Sequence, residues 1–227
     1  MSLWLIILII VASQALIITM VMSYVIYCVL LRRTKPTKWS RTYSLTGDEE
    51  YDRLYNEALA WARQYSRQTE EVSIQNDGLT LCGQFVDFHS DKTVIMIAGR
   101  TEACQYSYHF AEPYRKLGYN ILAIDNRSHG LSEGKVCSLG FQEYRDILAW
   151  GRYLHDVRGS QKVLIHGICI GSSTGLFALT SPDCPDYFEG LTADGMYATF
   201  YESFKNHTDN RCSFLVNNKL MMVIRVL

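Results

Sequence analysis

The sequence predicts an α/β fold, a mostly parallel sheet with helices on both faces, preceded by one transmembrane helix. Three observations carry this expectation. Residues 1–31 contain no charged side chain. Strand-like and helix-like runs alternate from Lys92 onward. A glycine-framed turn, Gly167-Ile168-Cys169-Ile170-Gly171, follows directly on an apolar strand-like run.

The chain has 227 residues, 48% hydrophobic and 20% charged, with 22 Lys+Arg against 23 Asp+Glu. That balance excludes a disordered chain and a polyanion binder, so no nucleic-acid partner is expected. The stretch Leu3–Leu31 reads LWLIILIIVASQALIITMVMSYVIYCVLL, longer at 1.5 Å per residue than the roughly 30 Å hydrocarbon core of a bilayer. It has neither the basic start nor the short apolar core of a signal peptide, and a retained membrane anchor is expected over residues 3–31. Arg32, Arg33, Lys35, Lys38 and Arg41 follow the span and no basic residue precedes it. The positive-inside rule then places the soluble part in the cytoplasm, on a single-pass protein of the cell membrane.

Cysteines 28, 82, 104, 137, 169, 184 and 212 form an odd set with no CxxC pair. Free thiols are expected, with no metal site and no cofactor motif. Asn126-Arg127-Ser128 and Asn206-His207-Thr208 fit the glycosylation pattern and are read as incidental.

The expected organisation is a transmembrane helix over 1–31, a basic juxtamembrane linker over 32–48, an amphipathic helix over 49–69 and a sheet-bearing domain over 70–227. In the amphipathic helix, Tyr51, Leu54, Tyr55, Ala58, Leu59, Ala62 and Tyr65 share one face. Strand-like runs at Val72–Ile74 and Leu79–Phe88 flank Asn76-Asp77-Gly78, a hairpin signal. Then come TVIMIAG (strand), YHFAEPYRKLG (helix), YNILAIDN (strand), LGFQEYRDILAWGRYLHDV (helix), KVLIHG (strand), a helix from about Gly171, and GLTADG (strand). Such alternation implies right-handed crossovers between parallel strands. Working groups in such sheets lie beyond the carboxyl ends of the strands, here after Ile97, Ile124, Ile165 and Ala193.

The strand KVLIH leads into Gly167 and Gly171, two residues either side of Cys169. A sharp strand-to-helix turn requires this spacing, because side chains at the flanking positions would clash. Cys169 is then presented at the tip, with the amides of the next helix expected to lower its thiol pKa and to stabilise an oxyanion. Gly171-Ser172-Ser173-Thr174-Gly175 is also a literal G-x-S-x-G, but Ser173 lies about one helical turn beyond the strand end. The register favours Cys169 as the nucleophile.

From about Glu70 to Phe204 these motifs, in this order, resemble the α/β-hydrolase superfamily, particularly membrane-anchored bacterial members related to serine aminopeptidases and esterases. Gly167 to Gly171 matches the family's nucleophile elbow, with Cys169 where serine is usual. Asp125-Asn126-Arg127-Ser128-His129-Gly130-Leu131-Ser132 resembles the D-x-R-G-H-G-x-S segment after the fourth strand. Ala98-Gly99-Arg100-Thr101 occupies the place of the His-Gly oxyanion turn. The resemblance implies that Arg100 and Ile170 donate the two oxyanion-hole N–H groups, that Asp194 is the surviving acid, and that the substrate is a small molecule or peptide.

The family's base and usual acid follow the seventh and eighth strands, whereas this chain stops at Leu227 after six. A truncated C-terminal end is therefore expected, with residues 200–227 read as helix or lid. His129 is read as structural and His166 as a packed strand residue; His89, His109, His155 and His207 have no claim by spacing. The expected activity is hydrolysis of ester, thioester or peptide bonds through an acyl-enzyme on Cys169, with poor turnover. The rival readings are an inactive binding or interaction member of the family and a remnant of an active enzyme.

Overall fold

A computed structural model describes residues 2–42 and 47–196. Helix α1, Leu3–Leu30, is one uninterrupted 28-residue helix with no buried residue, about 42 Å long at 1.5 Å per residue. It is long and apolar enough to cross a membrane. A compact unit extends from Arg33 to Met196, so the described residues of the expected linker from Arg33 onward, and the helix after it, belong to the same unit as the sheet.

That unit contains α2 (Glu49–Gln64), β1 (Thr69–Asn76), β2 (Leu79–Val86), β3 (Lys92–Ile97), a 3-10 helix (Cys104–Phe110), α3 (Ala111–Lys116), β4 (Asn120–Ile124), α4 (Glu143–Asp156), β5 (Lys162–Ile168), α5 (Ile170–Leu179) and β6 (Phe188–Asp194). The six strands form one sheet in the order β1-β2-β4-β3-β5-β6. β1 and β2 run antiparallel to each other, and β2 antiparallel to β4, while β4, β3, β5 and β6 are parallel neighbours. The hairpin turn has positive φ at both Asp77 (50°) and Gly78 (72°), the conformation that matches the twist of paired strands.

Register aligns the strand ends. Ile97 lies opposite both Ile124 and Gly167, and Ile168 lies opposite Asp194. The turns after β3, β4 and β5 therefore leave the sheet at one edge, and the residues they carry converge there.

Alternation along the strands supplies two apolar faces. On one, Ile95, Ile97, Leu122, Ile124 and Ile165 pack with Ile147, Trp150 and Leu154 of α4 and Ala178 of α5. On the other, Val94, Met96, Ile121 and Ala123 pack with Ala58 and Trp61 of α2 and with Cys104, Tyr108, Ala111 and Tyr114. Helices thus cover both faces, as the sequence predicts.

Helix α2 is capped by Asp48, whose Oδ1 accepts from the N–H groups of Glu50 and Tyr51, both at 3.1 Å. It ends at Gln64, five residues earlier than the expected boundary at 69. Turn bonds from Ser66 N–H to Arg63 O and from Gln68 N–H to Tyr65 O redirect the chain into β1. The helix buries Tyr55, Ala58 and Trp61; Trp61, outside the expected stripe, donates from Nε1 to Glu112 Oε2 at 3.0 Å. The helix expected over YHFAEPYRKLG is divided between the 3-10 helix and α3.

A buried ion pair fixes the loop after β4. Arg127 donates from Nε and Nη2 to the two carboxylate oxygens of Asp146 on α4, each at 2.7 Å. Its guanidinium also reaches Gln142 at 2.8 Å and Asp77 at 3.2 Å. One side chain therefore joins loop, helix and hairpin, an arrangement that two parallel bonds make directional. Asn126, the first residue of one glycosylation tripeptide, is buried and donates from Nδ2 to Ala98 O. The second tripeptide, Cys212, His207 and the expected lid over 200–227 lie outside the described residues.

Candidate active site

Cys169 sits between the last residue of β5 and the first of α5, with φ 53° and ψ −112°. Side chains avoid this backbone region, and it persists only where the surroundings impose it. The glycines do so by close approach: a Cβ on Gly171 would collide with the Ile97 carbonyl, and one on Gly167 with the Gly171–Ser172 backbone. Beneath the turn, the Cys169 N–H donates to Asp194 O at 2.7 Å and Ser172 Oγ donates to the same carbonyl at 3.0 Å.

The turn after β3 lies against this elbow. A point one bond above Gly99 is 3.8 Å from Cys169 Cβ and is occupied by the Glu102 carboxylate. Arg100 belongs to this turn, and its carbonyl oxygen lies 2.6 Å from His129 Nε2. The backbone N–H of Ile170 favours the thiolate form of Cys169. Arg100, Ile170, Gly167 and Gly171 are thus gathered around Cys169. Nothing in the 99–102 stretch marked Glu102 in sequence, since its position depends on a turn without periodicity.

The expected lowering of the Cys169 pKa is corrected. Burial pushes the thiol above its ordinary value, and Glu102 and Asp194 push the same way; the Ile170 N–H and the Arg100 cation pull it down without prevailing. The helix amide acts in the expected direction, but enclosure of the sulfur outweighs it. Burial likewise pushes Cys137 up to about 12 and raises Cys104. Cysteines 82, 104, 137, 169 and 184 are free thiols.

Asp194 closes β6 with its side chain exposed and its backbone under the elbow. Its charge raises the pKa of His166 and of His109, though burial wins at both and takes His166 down to about 4. His166 is buried, with Nδ1 2.8 Å from the Tyr114 hydroxyl. His129 is buried, both ring nitrogens against backbone carbonyls, the structural position expected for it. His155 bonds Ser160 O at 3.0 Å, and His89 is exposed beside Asp87. Among the described residues no histidine hydrogen-bonds Cys169. Ser173 is buried within α5, on the helix and not at the elbow. Among the described residues no group of three or more His, Cys, Asp or Glu side chains is placed to hold a metal ion.

Strand order, elbow and convergent turns define an α/β-hydrolase fold, and comparison with solved structures agrees. An esterase from Pyrococcus furiosus superposes with a TM-score of 0.59 at 24% identity, over 72% of this chain and 63% of the esterase. In a second crystal form the same esterase gives a TM-score of 0.52 at 29% identity, over 60% of this chain and 54% of the esterase. An alpha-beta hydrolase from Vibrio vulnificus gives 0.53 at 18% identity, over 78% and 68%. This chain thus has the α/β-hydrolase fold. In sequence it is 31% identical over 127 residues to YqkD of Bacillus subtilis strain 168, an uncharacterized protein; the match covers 55% of this chain and 41% of YqkD. The chain thus spans less than half the length of that relative. No family model matches it.

Proposed function

We propose that this chain is a membrane-anchored acyl-transfer hydrolase acting on an ester, thioester or peptide bond through Cys169. In this reading residues 3–31 hold it in the cell membrane and the domain lies in the cytoplasm. The sulfur attacks the carbonyl carbon, and the oxygen that becomes negative is met by the N–H groups of Arg100 and Ile170. The leaving group departs with a proton, a thioester remains on Cys169, and water hydrolyses it to the acid and the free thiol. Asp194, exposed at the end of β6, is the acid of this reading, and no histidine among the described residues hydrogen-bonds its carboxylate.

The observation that carries the reading is the positive φ of Cys169 between two glycines that admit no Cβ. A small or buried inert cysteine needs no such backbone. The raised thiol pKa favours a second reading, a hydrolase-fold protein that binds a ligand without turning it over.

The two separate on a single assay. The full chain in detergent, mixed with p-nitrophenyl acetate, is expected to release a burst of nitrophenol equal to the enzyme present, followed by slow turnover, and Cys169→Ala is expected to abolish both. Absence of the burst supports the binding reading. Protection of the domain from protease added outside intact cells tests the orientation.

A further inference from the structure

The segment 33–41, basic and without periodicity, is bound to the loop after β4 along its length. The Arg33 N–H donates to Lys135 O at 2.8 Å, and its Nη2 to Gly130 O at 2.9 Å. The Gly130 N–H donates in turn to Trp39 O at 2.8 Å. Trp39 is buried, with φ 57°, an uncommon conformation for a bulky residue that surrounding contacts must sustain. Its ring stacks on the His129 imidazole with centroids 4.5 Å apart and planes 11° from parallel. Lys38 Nζ lies 4.3 Å from the ring centroid of Trp39, and the indole packs in one cluster with Cys137 and Ile170.

We infer that Trp39 is a positioning residue for the oxyanion turn, acting through His129 on Arg100; this rests on the acyl-transfer reading above. Burial holds His129 below its ordinary pKa, so near neutrality its ring carries one N–H. We assign that hydrogen to Nε2, whose contact with Arg100 O at 2.6 Å is shorter than the 3.0 Å from Nδ1 to Arg127 O. The stacked indole covers one face of the imidazole and fixes the plane in which this bond points.

The other end of the turn is held from the same segment. Arg41 Nε donates to Asp125 Oδ2 at 2.8 Å, and Asp125 Oδ1 accepts from the Cys104 N–H at 2.9 Å. The strap therefore restrains residues 100–104 at both ends, and through Ile170 it touches the second donor as well. None of these strap residues reaches Cys169; each acts through a neighbour.

The test compares two reactions of Cys169 in the full chain in detergent. Acylation by p-nitrophenyl acetate passes through an oxyanion, whereas alkylation by iodoacetamide does not. Removing one oxyanion donor costs about 100- to 1,000-fold, so displacing one is expected to lower the acylation-to-alkylation ratio about tenfold or more. That fall is expected in Trp39→Ala and Trp39→Leu, with Trp39→Phe, which can still stack, close to wild type. Leucine keeps apolar bulk against Ile170, so the Leu and Phe pair decides the matter if Trp39→Ala fails to melt cooperatively. An unchanged ratio in Trp39→Leu overturns the positioning role while leaving acyl transfer intact. A wild-type ratio no higher than that of a small free thiol overturns both.

Discussion

The backbone N–H of Cys169 donates to the carbonyl of Asp194 at 2.7 Å, so the elbow is held by the strand beside it. Ser172 Oγ meets the same carbonyl, and the Gly171 backbone rests on the Ile97 carbonyl. The ends of β3, β5 and β6 therefore impose a conformation on Cys169 that costs on the order of 1–3 kcal/mol. Such strain marks a site whose geometry is fixed before a ligand arrives.

Substituting Gly171 by alanine is expected to disturb this arrangement, because the new Cβ would meet first the Ile97 carbonyl, a backbone group that cannot swing aside. Overpacking of this kind costs about 1–3 kcal/mol. A fall of that size in urea denaturation, together with a changed rate of Cys169 labelling, is the expected result; unaltered stability would show that the elbow has room.

The Arg127–Asp146 pair gives a second test. Arg127→Met removes the cation and leaves a buried carboxylate uncompensated, which in such pairs costs about 3–5 kcal/mol. The double substitution Arg127→Met with Asp146→Leu is expected to recover most of that loss. Equal loss in both variants would mean that the contacts of Arg127 to Gln142 and Asp77 matter more than the ion pair.

Electrostatics around Cys169 predict opposite shifts for two neighbours. Glu102 raises the thiol pKa and Arg100 lowers it. Glu102→Gln is expected to move the pH profile of iodoacetamide labelling to lower pH, giving faster reaction near neutrality. Arg100→Gln is expected to move it to higher pH, with the backbone N–H retained. Both follow from the thiolate being the reacting form. Coincident profiles would remove Glu102 and Arg100 from the site.

Much of the fold was legible because its signals are local. Among the described residues, the Asn76-Asp77-Gly78 signal marked the first two strands, alternation from Lys92 marked the other four, and the frame of Gly167 and Gly171 marked the elbow. Trp61 lies at the margin of the stripe, three residues after Ala58, and its burial depends on Glu112 and Tyr108, which come from elsewhere in the chain. The strap was missed because Trp39 and Arg41 take their meaning from His129 and Asp125, distant in sequence and brought near by the loop after β4. The thiol pKa was misjudged for a related reason: the helix amide is visible in the pattern, whereas enclosure of the sulfur arises only once the turn carrying Glu102 folds over it.

In the acyl-transfer reading, Cys169 is a nucleophile supported by an oxyanion site. Intact-mass measurement of the full chain treated with a mild acyl donor, over a pH series from mildly acidic to mildly basic, tests it most directly. A single acyl adduct on Cys169 is expected, absent from Cys169→Ala and forming faster than on any other cysteine despite the raised thiol pKa. Acylation of Cys169 no faster than of the half-buried Cys82 and Cys184 would contradict this reading.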